Sequence, residues 1–438
     1  MQFPQMMMPI PMPAWRTPHS VAACLTTWLC ATLCAGLAPG ARAADAAPYD
    51  HIVIVVLENR SANEGGPQRV YGNPALPFFN QLANDPAHGA RFANAWASET
   101  PYRRVPKGFV APLSARPSQP NYLYLFSASH QGVLPPWFAD PGSPYLDNVV
   151  LDRQGNRLPE RLSGTPAGIG NKTVPAARRP FATANLGAAL RAAGKHFAMF
   201  SESLPHPLWD DAGDPRPDQD LYRRKHNPAI NWIDFGADKT PAKVAPERRR
   251  FLLPVEVNLA FHASTDPSGQ RWRGFAEDAD GKPIGYEQLP TVSIVVPNEQ
   301  HDAHSASLED ADAWLKAQIG PYAAWAREHH SLLILTFDED GSTDVSQGDP
   351  YMFGRHPIAT VFYGAGVKPG VYRERIDALN VLATVLHDQG LLDTFKRDFI
   401  ATCPEDKATC EREHTNLRPI ADVFGRGAAL DELPPTRD

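Results

Sequence analysis

The chain predicts an α/β fold, a mostly parallel sheet with helices on both faces, interrupted by loop-rich insertions. Three observations carry that expectation. Short apolar runs recur along the sequence, and they do not alternate apolar with polar, so each strand is buried on both faces. Segments with helical spacing of apolar residues lie between the runs, as parallel strands joined by crossover helices require. With 438 residues, 43% hydrophobic and 21% charged, the chain can bury a large core and is too balanced for disorder.

In order, the strands are HIVIVVL (51–57), HFAMFS (196–201), TVSIVVP (291–297), SLLILTF (331–337) and IATVFY (358–363). The helical patterns are LPFFNQLAND, PNYLYLFSAS, TANLGAALRAAG, SASLEDADAWLKAQIGPYAAWAREHH and IDALNVLATVLHDQG. Two stretches rich in Pro, Gly, Arg and Asp, 134–180 and 203–288, break this rhythm and read as insertions over one sheet edge. The 44 prolines and 31 glycines imply long ordered loops, where chemistry usually sits. One domain spans 44–400, and 401–438 reads as an irregular tail.

Residues 1–43 read as a cleaved export signal. Arg16 precedes a long uncharged run, and Ala41-Arg42-Ala43 has the small-x-small form of a cleavage site. An uncleaved anchor is the alternative, but Pro18, Pro39 and that ending oppose it, so no stable membrane anchor is expected after cleavage. Removing the segment takes Arg16 and Arg42 and no acid, which moves the formal charge from −7 to −9 and argues against a nucleic-acid partner. It also takes Cys24, Cys30 and Cys34. The remaining pair, Cys403 and Cys410, is expected to form a small local disulfide in a periplasmic or secreted protein.

In an open α/β sheet the ligand lies beyond the carboxyl ends of the strands. The first strand runs into Glu58-Asn59, the run 291–297 into Asn298, His301, Asp302 and His304, and the run 331–337 into Asp338-Glu339-Asp340. Like charges crowded at Asp338, Glu339, Asp340 and Asp344 repel unless water or a cation holds them together. Hard oxygen ligands suit a divalent metal ion, whose identity the residues leave open. An EF-hand loop does not fit, since Gly341 is fourth after Asp338 counting it as first, and no Glu closes the loop.

Ser118 precedes Gln119-Pro120 and a helical pattern, so it sits at a helix N-terminus. It is either a plain N-cap or a nucleophile made acidic by a metal, with the first-turn N–H groups binding an anion. No G-x-S-x-G surrounds it.

These residues resemble the bacterial phosphoesterase family of the alkaline phosphatase superfamily, which contains secreted acid phosphatases and phosphocholine-type phospholipases C. The matching pieces, in the family's order over residues 50–395, are DHIVIVVLENRS, PSQPNYLYLFSAS, YRRKHNP, VPNEQHDAHSASLEDADAWL, LLILTFDEDGS and PIATVFYGAGVKPG. The resemblance implies an alkaline-phosphatase-like domain and a metal-dependent enzyme in which Ser118 attacks phosphorus. Glu58, Asn59, Ser118, Asp338 and Glu339 fall on the family's metal-site motifs. The Ser118 segment is also similar to the threonine-x-Pro-Asn segment of nucleotide pyrophosphatases, and Arg116 departs from the His of the secreted phosphatases.

An anionic ester needs basic groups around it. Lys225 and His226 in RRKHNP are candidates for binding phosphate, and so is the late residue His356, which precedes its strand and reaches the site only if that strand is antiparallel or its loop folds over. His304 is a candidate either to protonate the leaving alkoxide or to bind phosphate, with His301 able to take its place on the substrate and Asp302 to orient either imidazole. The expected activity is hydrolysis of phosphate monoesters through a phosphoserine, on a small-molecule or lipid substrate. A phospholipase C or other phosphodiesterase, and a metal-stabilised extracellular binding module, are the alternatives.

Overall fold

The computed structural model describes residues 47–63, 69–105, 111–114, 118–133, 149–152, 174, 178–210, 221–235, 244–341, 357–420 and 422–424. The expected signal segment, Arg116, Asp344, His356 and most of 134–180 lie outside them.

The strands are β1 (His51–Leu57), β2 (Gly89–Trp96), β3 (Glu99–Val105), β4 (Ala111–Ser114), β5 (Val149–Asp152), β6 (Phe197–Ser201), β7 (Asn258–Ala260), β8 (Ser264–Thr265), β9 (Arg271–Trp272), β10 (Val292–Val296), β11 (Ser331–Phe337), β12 (Pro357–Gly364) and β13 (Gly370–Tyr372). Eight of them form the main sheet, in the order β13-β2-β12-β11-β1-β10-β6-β7. From β11 through β7 the pairing is parallel, with Ile54 of β1 set between Ile334 and Ile294. Every residue of β1, β6, β10, β11 and β12 is buried, which is why none of their sequences alternates.

Two features were not legible in the apolar runs. β12 runs antiparallel to β11 and to β2, so its first residues share the rim where β1 and β11 end. β7, drawn from the 203–288 stretch, adds an edge strand beside β6, so part of that insertion extends the sheet.

The helices are α1 (Pro77–Ala83), α2 (Gln119–Ser127), α3 (Leu186–Ala192), α4 (Leu308–Trp314), α5 (Gly320–Ala326), α6 (Ala378–Asp388), α7 (Leu392–Thr402) and α8 (Lys407–Asn416). One layer holds α1, α4 and α5, and the other holds α2, α3, α6, α7 and α8. The long pattern 305–330 forms α4 and α5 with a π-turn at Leu315–Ile319 between them. Pro321 follows at once; it has no N–H to give and its ring crowds the preceding turn, which the wider π-turn relieves. Ser307 caps α4 by accepting the Asp310 N–H, and Asp377 caps α6 in a reciprocal box with Asn380.

The tail is not irregular as far as it is described. Asp406 accepts the Thr409 N–H and starts α8, and Leu417, Ile420 and Val423 are buried in the core. Cys403 and Cys410 are disulfide-bonded, with a Cα separation of 6.0 Å. Among the described residues no helix is long and apolar enough to cross a membrane.

Candidate active site

The parallel register brings strand exits together. Leu57 pairs with Phe337, so the next residues, Glu58 and Asp338, leave the sheet side by side. The Asp338 N–H still bonds the Leu57 carbonyl at 3.0 Å, and the Glu58 N–H bonds the Asp302 carbonyl at 2.7 Å. Glu58, Asp302, Asp338, Glu339 and Asp340 are all buried. Asp338 Oδ1 accepts the backbone N–H groups of Asn59 at 3.0 Å and Glu339 at 2.6 Å, which clamps the two exit turns to each other.

Ser118 stands over this cluster. It occupies the N-cap position of α2, yet its side chain makes no capping bond. Its hydroxyl instead donates to Glu58 Oε2 at 3.0 Å, and its N–H donates to Glu339 Oε2 at 3.1 Å. The backbone is bent to this end: Ser118 has φ 24° and Asn59 has φ 49°, both in the left-handed region that non-glycine residues rarely occupy. The expected array of first-turn anion donors is reduced, because the Ser118 N–H is taken, Pro120 has none, and the Asn121 N–H bonds the Ser118 carbonyl.

Tyr122, one turn along α2, donates a short hydrogen bond to Glu58 Oε1. Its ring stacks on His226, 5.2 Å between centroids, and His226 Nδ1 lies 3.5 Å from the same Glu58 oxygen. The 3-10 turn Arg224–His226 therefore folds inward and buries His226 inside the acidic cluster. A ligand atom from each of His226, Glu299 and Asp302 can be brought within 4.8 Å of the others.

Burial, reinforced by Asp338 and Asp302, pushes the Glu58 carboxyl well above its usual range. Burial and then Glu299 push Asp302 up to about 8. Burial also raises Asp338, against hydrogen bonds from the Asn59 backbone, Glu58 and Ser118. For His226, burial and then Lys225 and His304 hold the imidazole well below its usual value, so it is neutral. These are groups short of positive charge. Among the described residues, Asn59 Oδ1, Asp302 Oδ2 and His226 Nε2 are buried and find no hydrogen-bond partner. Crowded carboxylates, an amide oxygen and a neutral imidazole, each with an unused lone pair, fit a divalent cation.

The remaining expected residues divide. His304 is exposed, donates its N–H to Asp302 Oδ1 at 2.8 Å, and lies close enough to His226 to depress its pKa. Lys225 is half-buried beside His226. His301 points elsewhere, with Nδ1 2.9 Å from both oxygens of Glu202 and its ring stacked on Trp314. In the same segment Arg223 pairs with Glu299 at 2.8 Å, and the buried Arg224 pairs with Asp210 at 3.0 Å. Sequence reasoning did not find Tyr122, Glu299 or Glu202. Glu202 had a signal, since it directly follows the run 196–201 as Glu58 follows 51–57.

The family model described as the phosphoesterase family matches residues 264–391. The phosphatidylinositol-3-phosphatase of Mycobacterium tuberculosis is 30% identical over 405 residues, 92% of this chain and 91% of that protein. The chain belongs to the phosphoesterase family. Its enzymatic class follows, a hydrolase of phosphoric ester bonds, and the binding-module reading falls away. Among solved structures, an alkaline phosphatase superfamily protein from Vibrio parahaemolyticus is 12% identical with a TM-score of 0.38, covering 77% of this chain and 66% of that one. A Bacteroides thetaiotaomicron protein described under the metabolism of multiple glycosaminoglycans is 13% identical with a TM-score of 0.43, covering 89% of this phosphoesterase and 79% of its own chain.

Proposed function

We propose that this phosphoesterase is a phosphatase of the secreted acid phosphatase type, hydrolysing phosphate monoesters with Ser118 as nucleophile. One observation carries the reading. Ser118 holds the capping position of α2 in a strained conformation and turns its hydroxyl away from the helix, onto Glu58. A serine kept only as a cap would use that oxygen on the helix N–H groups.

The hydrogen bond to Glu58 Oε2 aims a lone pair of Ser118 Oγ away from the cluster, toward an incoming phosphorus. On attack the hydroxyl proton passes to Glu58, the Oγ–P bond forms, and the P–O bond to the alcohol breaks. The leaving alkoxide takes a proton from an imidazole, His304 being the exposed one over the cluster. Lys225 supplies positive charge to the phosphoryl oxygens. Water then attacks the phosphoserine, giving a proton to the imidazole that lost one, and as the Oγ–P bond breaks Glu58 returns its proton to Ser118 Oγ and phosphate leaves. Glu58, Asn59, Ser118, Asp338 and Glu339 would hold a divalent cation, with His226, Asp302 and Glu299 as further donors, and such an ion would supply charge to neutralise the ester and to acidify the serine hydroxyl.

The mycobacterial relative bears the name of a lipid monoester phosphatase, which supports a phosphoinositide-like lipid among the substrates. A periplasmic or secreted location accords with the disulfide and the export-signal pattern. The test is acid quenching during turnover of p-nitrophenyl phosphate, followed by mass spectrometry of the peptide containing Ser118. A phosphorylated Ser118 is expected, and turnover with no such species at any time would remove the covalent mechanism. A second reading, phosphodiester hydrolysis, draws support from Arg223 and Arg224, whose charges are spent on Glu299 and Asp210. A singly charged diester needs less positive charge than a monoester.

A further inference from the structure

The exits of β11, β1 and β10 build the cluster, and β6 is the next parallel strand in the sheet. Its exit residue, Glu202, is buried and collects donors. Its N–H bonds the Val296 carbonyl at 2.9 Å, tying it to the end of β10. Its carboxylate accepts the Asn298 N–H at 2.9 Å, the Trp314 indole N–H at 3.0 Å and His301 Nδ1 at 2.9 Å. Three of these partners lie on the segment 296–301, and that segment leads directly into Asp302, Ala303 with φ 76°, and His304. The Asn298 carbonyl in turn accepts the N–H groups of His301 and Asp302, each at 2.9 Å.

We propose that Glu202 is a positioning residue of the phosphoester site, acting through His301. A carboxylate accepts only, so the bond at 2.9 Å requires the proton on Nδ1. In the neutral ring Nε2 then carries the lone pair. The ring stacks on Trp314 with centroids 6.2 Å apart, and the side chain remains 29% exposed. Glu202 thereby fixes the tautomer of His301, and through that residue it holds the loop whose next residue, Asp302, lies against His226 and accepts the His304 N–H. This rests on the phosphatase reading for its kinetic arm only.

The first measurement needs no variant: nitrogen-15 NMR of the histidine side chains in the full chain, with His301 assigned by loss of its signals in His301→Ala. The neutral ring is expected with Nδ1 protonated, and an Nε2–H tautomer would overturn the proposal. The second is a double-mutant cycle on p-nitrophenyl phosphate. Glu202→Gln keeps the shape and an acceptor for Trp314 but replaces an oxygen that takes the loop's N–H groups. It is expected to lower kcat about 10- to 100-fold with a smaller change in KM. In a His301→Ala background the same change should cost under about threefold, because the partner it acts through is gone. An undiminished Glu202→Gln effect in that background would show that Glu202 is only a loop brace. Trp314→Phe, which removes the indole donor and leaves the imidazole bond, should keep kcat within about threefold. If the wild type turned over no phosphate ester, the phosphatase reading would fail while the tautomer would still decide the Glu202–His301 bond.

Discussion

The two ends of α2 bury comparable sets of polar groups and treat them in opposite ways. At the C-terminal end, Ala128 closes the helix in a left-handed conformation, and Ser129, His130 and Gln131 form a network with Glu405. Gln131 donates to Ser129 and accepts from Thr183, and His130 accepts the Gly132 N–H. Burial and then Arg412 push the His130 imidazole down to about 3, so it stays neutral and keeps its place as an acceptor. At the N-terminal end, three raised carboxyls converge with too few donors, and Ser118, in the N-cap position just before the helix, is strained and makes no capping bond. Satisfied networks hold a fold together; a deficit maintained at a structural cost marks where a ligand is handled.

The largest break between the two ends is expected from Ser118→Ala. Its hydroxyl caps nothing, so the loss of stability should be limited to its hydrogen bonds to Glu58 and Asp338, about 1–3 kcal/mol. Turnover of p-nitrophenyl phosphate should fall at least about 10³-fold, as losses of covalent nucleophiles do. A mutant retaining a tenth of the rate would return Ser118 to a structural role.

Next comes the charge deficit itself. Asp338→Asn removes a full charge from the cluster and should weaken divalent-cation binding at least about tenfold, with activity partly recovered at high metal concentration. Calorimetric titration with Mg, Mn and Zn ions checks it, and unchanged binding would place the cation elsewhere. Chelated protein should also respond to pH in a defined direction. Asp302 holds its proton to about 8 in the folded chain, against 3.8 ordinarily, so the folded state binds more protons across that window. Stability must then fall as pH rises from about 4 to about 8. Restoring the cation should flatten that slope, which melting at several pH values would show.

How much of this could be read beforehand follows the same division. Glu58, Asn59, Asp338 and Ser118 were legible because strand exits and a helix start are local signals. His226 read as a phosphate-binding basic group, and only the tertiary fold-back of its 3-10 turn makes it a buried, neutral imidazole beside Glu58. Tyr122 was hidden because every residue of α2 is buried, which leaves no amphipathic stripe to mark one face as special. The sheet's parallel centre was visible in unbroken apolar runs. β2 was not, since GARFANAW is half-buried and small-residue rich, and its partner β12 gave no sign of its antiparallel direction.

The satisfied end offers the converse test. Replacing Cys403 and Cys410 by Ser opens a loop of sequence separation 7 next to Glu405. The loss should be about 2–3 kcal/mol of stability, with kcat on p-nitrophenyl phosphate unchanged. Chemical denaturation and rate measurements on one preparation would separate the two, and a fall in kcat without a fall in stability would tie this end of the helix to catalysis.

The smallest expected effect carries the substrate question. Lys225 lies beside His226, while Arg223 pairs with Glu299 at the edge of the cluster and Arg224 pairs with Asp210. It is half-buried, so its charge is partly screened and contributes at most about 1 kcal/mol to holding an anion, roughly a fivefold change in affinity. A monoester dianion draws on that charge more than a diester monoanion does. Lys225→Ala should therefore raise KM for p-nitrophenyl phosphate roughly fivefold and leave bis-p-nitrophenyl phosphate within about twofold. Parallel losses on both would mean that Lys225 acts through His226, whose pKa it helps to depress, and not on the substrate. A wild-type enzyme faster on the diester would show that a pocket whose other two arginines are spent on Glu299 and Asp210 has too little positive charge for a monoester, and the diesterase reading would stand in its place.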